Sequence, residues 1–210
     1  MRHGMWRLLL TCAGLAAVLA APAQAALRWD FSKKPDYVHI DGPPGVAVAI
    51  CAASAKGLLS GCQLALAEPI GSNVGAQLLA SASSYEMKPR PKACARKLDK
   101  VVISTSRPAV AVGANWLQRP TLEDVMSSYP PVALAKRQRA SIALACEVSA
   151  GGQMEACRGL FVDGAPNAGF EAAAESLAAI FRLTPAFENG KPVRGHAVVP
   201  INFYPVRPPC

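Results

Sequence analysis

The clearest pattern along the chain lies in its second half, where Ile142, Leu144, Cys146 and Val148 place apolar side chains at every other position. A period of two turns one set of side chains to a single face, so this stretch predicts a half-buried strand. Gly151-Gly152 follow, a pair expected to supply the positive φ values of a tight turn, and a return strand is predicted through Cys157 to Val162. The spacing then changes. Phe170, Ala174, Leu177 and Phe181 form one stripe of a helix predicted from Ala168 to about Phe181, with Asn167 as its cap and Pro185 ending it. A last strand is predicted from His196 to Phe203, and Pro200, which has no N–H, confines it to a sheet edge or a bulge.

The first half carries a fainter version of the same pattern. Cys51 and Cys62 are 11 residues apart, as are Cys146 and Cys157, and the two pairs are offset by 95. Tyr85-Glu86-Met87-Lys88-Pro89 matches Phe181-Arg182-Leu183-Thr184-Pro185 at an offset of 96, so the second copy has one extra residue before its helix. Shared spacing with a single insertion reads as an internal repeat. The expected fold is α+β: two tandem small ββαβ units, each an antiparallel three-stranded sheet with one helix packed on one face. The first unit is the weaker, since its helix stripe of Val74, Leu78, Ser81 and Tyr85 includes a serine. Its first strand also alternates Val46, Val48 and Ile50 on the face opposite Cys51. Arg107 to Ser128, with Pro108 and Pro120, reads as a connector.

At the N-terminus Arg2 and Arg7 precede an apolar run from Leu8 to Ala21 that closes with Ala23-Gln24-Ala25, the layout of a secretory signal. A membrane anchor is the rival reading, but a span needs about 20 apolar residues. Cleavage after Ala25 removes Arg2, Arg7 and no acid, so the net charge falls from +8 to +6. Aromatics are only 6% of the chain and the cations are thinly spread. That argues against nucleic acid as a partner and for solubility or loose attraction to anionic surfaces.

The same cleavage leaves six cysteines, Cys51, Cys62, Cys94, Cys146, Cys157 and Cys210, and an even number in an exported chain predicts disulfides. A hairpin with Lys56-Gly57 as its loop sets Cys51 opposite Cys62, and the equivalent register sets Cys146 opposite Cys157. A strict two-residue loop would make each a wide, hydrogen-bonded pair, and a bulge or a longer loop would bring the cysteines closer. Each bridge closes a short loop and contributes at most about 3 kcal/mol by chain entropy. A redox-active pair is the functional alternative. Cys94 and Cys210 are left to form a third bridge. No short paired cysteine spacing suits a metal, and three histidines are too scattered to help. No hydrolase elbow, zinc-protease motif, Walker loop or dinucleotide fingerprint occurs. Asp163 and Glu171 flank the predicted helix start, where capping explains them. The reading is non-enzymatic, without cofactor or small-molecule substrate.

Taken in order, Tyr129-Pro130, Ala133, the strand Ser141 to Val148, a Gly-containing turn, Phe170 with Ala173 and Ala174, Phe181, Pro185, Asn189-Gly190-Lys191-Pro192-Val193 and Val198 to Phe203 resemble the C-terminal domain of the TonB family. Trp116 and Pro120-Thr121-Leu122-Glu123-Asp124 resemble the lead-in of its exported members. The resemblance covers residues 128–206, with a degenerate copy at 37–106. It divides the chain into a signal peptide (1–25), a degenerate domain (26–106), a linker (107–127) and a TonB C-terminal domain (128–210).

The resemblance implies a periplasmic module that meets a short N-terminal peptide of an outer-membrane TonB-dependent receptor, or another envelope protein, and lends it a sheet edge. By carry-over the peptide-binding residues are Tyr129, Pro130, Val198, Val199, Ile201, Asn202 and Phe203; a core or turn aromatic is the alternative role for Tyr129. Energy transducers of this family resemble tethered rods, and 20 residues from Ala26 to Gly45 without a Pro-rich repeat make a poor spacer. A structural or adaptor protein with no transport role is therefore the alternative function.

Overall fold

The computed structural model describes residues 31–33, 45–88, 99–107 and 116–205. Its elements follow one another as β1 (Phe31–Lys33), β2 (Gly45–Ala53), β3 (Leu59–Glu68), α1 (Val74–Ser81), β4 (Glu86–Met87) and β5 (Asp99–Arg107). The second half continues with β6 (Trp116–Gln118), α2 (Leu122–Ser127), α3 (Pro131–Ala135), β7 (Ala140–Val148), β8 (Met154–Gly164) and α4 (Phe170–Ser176). It ends with β9 (Arg182–Leu183), β10 (Ala186–Glu188), β11 (Lys191–Val193) and β12 (Gly195–Phe203). Two three-stranded antiparallel sheets dominate, ordered β3-β2-β5 and β12-β7-β8. In each, the first strand of the hairpin is central, and its hairpin partner and the last long strand of that half, β5 or β12, are the edges. The predicted leader and the pair Cys94 and Cys210 lie outside the described residues.

The hairpin loops have three residues, not the two expected. Ser149 N–H donates to Gln153 O (2.9 Å), Gly152 N–H donates to Ser149 O (2.9 Å), and Gly152 takes φ 81, a turn followed by one left-handed residue. Of the glycine pair, only Gly152 has the positive φ; its counterpart in the first half is Gly57 at φ 88. A Cβ on Gly152 would sit 2.1 Å from Leu183 O, and one on Gly57 2.0 Å from Met87 O, so both turns are pressed onto the strand that leaves the helix. Beyond each turn the register slips between Ile50 and Ala52 and between Ala145 and Glu147. The slip sets two residues, with Gly61 (φ 58) or Ala156 (φ 46) first, against one cysteine. These bulges bring the cysteines together: Cys51–Cys62 and Cys146–Cys157 are disulfides with Cα atoms 4.0 and 4.1 Å apart.

The second helix is shorter than its periodicity suggests. It begins at Phe170 behind Gly169 (φ 83), Asn167 makes no cap and takes φ 56, and the chain tightens into 3-10 geometry from Leu177 to Ile180. The stripe is nonetheless the buried one: Phe170, Ala174, Leu177 and Phe181 are all in the core with Ile142, Leu144, Cys146 and Val148. In the first half Val74, Leu78, Tyr85 and Met87 pack on Ala47, Ala49, Cys51 and Ala53. The stretch 116–127, expected as part of a linker, lies against this second core. Trp116 pairs with Leu183 through β6 and β9 and stacks on Phe181 with ring centroids 5.1 Å apart. Val125 and Met126 of α2 pack on the same core. In the first half β1 runs against β4 in the same way, Phe31 opposite Met87.

What the alternation of the first half was for becomes plain where the two sheets meet. Val46, Val48 and Val102 form one buried cluster with Ala143, Ala145 and Val162, and Ile50, Leu66, Leu160 and Val198 pack at its margin. The helix-free faces of the sheets are thus packed back to back, giving layers in the order helix, sheet, sheet, helix. The sizes are complementary. On the central strand of the first half, β2, valines point at the other sheet and alanines at the helix; on that of the second, β7, alanines point at the other sheet and larger residues at the helix. Bulky side chains on one face opposite alanines on the other let two twisted sheets approach without voids.

Candidate functional site

The final strand is regular over nine residues, pairing Gly195 to Phe203 with Val148 to Ala140, and it is the edge of its sheet. Burial alternates along it. Ala197, Val199, Ile201 and Phe203 are buried in the core, whereas His196, Val198, Pro200 and Asn202 are partly exposed on the other face. Backbone direction follows from β8 on the far side of β7. Gly159 N–H points away from β7, since it donates to Glu175 Oε1 (2.8 Å), so Gly159 and Leu144 are a non-hydrogen-bonded pair. Along β7 the direction alternates, so Ala143 turns its N–H and C=O toward β8 and its partner Pro200 turns away from β7. Pro200 therefore costs the sheet no hydrogen bond, the condition its ring demands.

The same parity points the backbone of His196, Val198 and Asn202 outward, and that of Val199 and Ile201 toward β7. His196 O accepts a hydrogen bond from Ser106 Oγ of β5 at 3.4 Å, consistent with this orientation. Ser141 Oγ donates to Asn202 Oδ1 (2.8 Å) and holds that side chain over β7. On the opposite edge one outward donor is taken. Helix α4 lies across β8: a Cβ on Gly159 would stand 2.8 Å from Glu171 Cα and O, and Glu175 occupies the outward N–H of Gly159.

Tyr129 is a core aromatic, 3% exposed, edge-on to Phe170 (5.4 Å) and to Phe203 (5.5 Å). Its hydroxyl donates to Gln138 O, and burial raises its pKa. Pro130 is half-buried, and the Cβ position of Gly169 would lie 3.8 Å from its ring. Of the seven residues carried over, then, Tyr129, Val199, Ile201 and Phe203 turn their side chains inward, and Pro130, Val198 and Asn202 stay accessible.

Charges gather at the start of β12. Arg194 bonds Glu147 (2.5 Å) and Glu155 (3.1 Å), and Arg158 bridges to Glu68 of β3 (3.1 Å). His196 lies among them, its pKa lowered because burial outweighs the attraction of Glu147 and Glu68. Ser106, Glu68 and Glu175 had no signature in the sequence: the first two reach the second half only through the packing of the sheets, and Glu175 reads as an ordinary exposed helix residue. Among the described residues no group of three or more His, Cys, Asp and Glu could hold a metal, and no helix is long and apolar enough to cross a membrane.

These features define a small α+β domain, a three-stranded antiparallel sheet under one helix, with β8 at one edge and the last strand at the other. Residues 126–205 match the family model described as Gram-negative bacterial TonB protein C-terminal, and this segment is a TonB C-terminal domain. The match begins in the last turn of α2 and ends two residues past β12, so it takes in the whole second core. No curated protein and no solved structure matches the chain.

Proposed function

We propose that this chain is a non-enzymatic periplasmic protein that binds an extended peptide by strand addition along β12, the peptide being a segment of an outer-membrane TonB-dependent receptor. The observation that carries the reading is the asymmetry of the two edges: in a TonB C-terminal domain, β12 runs nine residues without a register shift and turns alternate backbone groups outward, whereas β8 is broken by two register shifts and gives one outward N–H to Glu175. The guest would meet the N–H and C=O of Val198, the C=O of Pro200 and the N–H and C=O of Asn202. Five such bonds at about 1 kcal/mol each give about 5 kcal/mol gross. Ordering the peptide takes part of this back, so binding is weak and backbone-directed. Pro200, by removing one donor, also limits pairing between copies of the protein. The first half, with its disulfide hairpin, three-residue loop and lead-in strand set out as in the second, is a degenerate copy of the same domain. It serves as a scaffold that covers the back of the binding sheet.

Titration of isotope-labelled protein with N-terminal receptor peptides tests this. The amides of Val198 and Asn202 should shift most, and those of Val199 and Ile201, bonded to β7, much less. A panel of peptides that leaves β12 unmoved at millimolar concentration would reduce the protein to a structural part of the envelope.

A further inference from the structure

Backbone groups repeat identically at every second residue of a strand edge, so main-chain bonds alone do not fix where a guest strand sits. A guest that slides by two residues exchanges one set of bonds for an equal one. On β12 two irregularities break this equivalence. Pro200, without an N–H, is one. The other comes from the first half of the chain: Ser106 Oγ of β5 donates to His196 O, the first outward carbonyl of β12, at 3.4 Å.

That hydroxyl is placed by the packing of the two sheets. Ser106 and Glu68 both lie opposite Val46, so Glu68, Val46 and Ser106 make one row across β3, β2 and β5. Residues directly opposed in antiparallel strands share a face. Val46 faces the second sheet, in the buried cluster with Ala143 and Ala145, and Ser106 and Glu68 face it too. The row is tied at both ends, since Glu68 bridges to Arg158 of β8 at 3.1 Å while Ser106 reaches His196 of β12. Strand β5 lies against both β8 and β12, the two edges of the second sheet. It therefore crosses that sheet obliquely and reaches the β12 edge with its Ser106 end.

We propose that Ser106 is the register stop of the peptide site, a positioning residue that acts by occupying His196 O. The inference rests on strand addition along β12 and gives the first half a part in it beyond that of a scaffold. A guest on Val198, Pro200 and Asn202 makes five backbone bonds. Shifted by two residues onto His196, Val198 and Pro200 it would again make five, but with His196 O taken it makes four and leaves one of its own N–H groups facing an occupied acceptor. One bond fewer disfavours the shifted register by about fivefold, and the unpaired N–H adds to this.

The carbonyl-carbon chemical shifts of isotope-labelled protein test the stop in two stages. Without peptide, Ser106→Ala should move the His196 carbonyl carbon upfield, and Ser106→Thr, which keeps the hydroxyl, should return it. A His196 carbonyl indifferent to Ser106→Ala overturns the proposal before any guest is added. The second stage adds a synthetic seven-residue peptide from the N-terminal segment of an outer-membrane TonB-dependent receptor. In the unsubstituted protein the carbonyls of Val198, Pro200 and Asn202 should respond and that of His196 should not. In Ser106→Ala the His196 carbonyl should respond as well, and the peptide should bind about fivefold more tightly through the added bond. Near-ultraviolet circular dichroism checks that the variant keeps its fold. A His196 carbonyl that answers the peptide in the unsubstituted protein, or a Ser106→Ala variant that binds it no more tightly, overturns the stop and leaves strand addition standing. A peptide that moves neither Val198 nor Asn202 in any of the three proteins overturns strand addition itself, and the stop with it.

Discussion

Val48 decides whether the two halves are one structure or two. It is fully buried, yet it points away from the helix of its own half and into the cluster shared with Ala143, Ala145 and Val162. On a free-standing first half it would lie on an open sheet face, where Val48→Ala would change stability by no more than about 0.5 kcal/mol. In the packed arrangement the substitution removes two methyl groups, about 1.6 kcal/mol of transfer energy. A residual cavity brings the total to about 2–3 kcal/mol. With a urea slope of about 2 kcal/mol/M, the midpoint should fall by about 1 M with no change in slope. Urea unfolding with the disulfides intact, followed by fluorescence and by far-ultraviolet circular dichroism, should show one transition in both signals. A double-mutant cycle with Val162→Ala, on β8 of the other half, should depart from additivity by about 0.5 kcal/mol or more. A loss below about 0.5 kcal/mol together with strict additivity would refute the back-to-back packing.

Proteolysis without reduction should leave Cys51 joined to Cys62 and Cys146 joined to Cys157 in the peptide masses, and replacing both cysteines of the second pair should cost up to about 3 kcal/mol by equilibrium denaturation. Gly152→Ala forces a left-handed alanine, about 1–2 kcal/mol, and drives its Cβ against Leu183 O, breaking the Leu183 N–H to Gly152 O bond. The combined loss should reach about 3 kcal/mol, whereas Gly190→Ala, at φ 75 but with open space around it, should show only the conformational part. Because burial holds the pKa of His196 below its unfolded value, stability is fully present above about pH 6.5. It is lost as pH falls from there toward the folded pKa. His196→Gln should remove that part of the acid slope, so an identical pH dependence of the two thermal midpoints would contradict it.

Local chemistry wrote the individual elements into the chain. Alternation at Ile142, Leu144, Cys146 and Val148, the helical stripe ending at Phe181, and the restriction that Pro200 places on β12 were all legible because each depends on neighbours a few residues away. The cysteine pairs were legible for the same reason, since a hairpin short enough to be read locally carries both partners. Element ends were read less well. The three-residue loop, the bulges at Gly61 and Ala156 and the late start of α4 at Phe170 depend on left-handed residues, and Ala156 has no sequence preference for that conformation.

The edge strand could be named from the sequence, but which of its residues can take part in binding could not. Burial of Tyr129 between Phe170 and Phe203, the outward turn of the Val198 and Asn202 backbones and the bond from Gly159 to Glu175 follow from register across three strands and a helix. The largest gap lay in the first half, where Val46, Val48 and Ile50 looked misplaced for a sheet with one covered face. Periodicity states that a face is apolar. Only the meeting of two sheets some hundred residues apart in sequence, valines against alanines, decides what that face is buried against, because complementarity of volume belongs to a pair of surfaces and not to either strand.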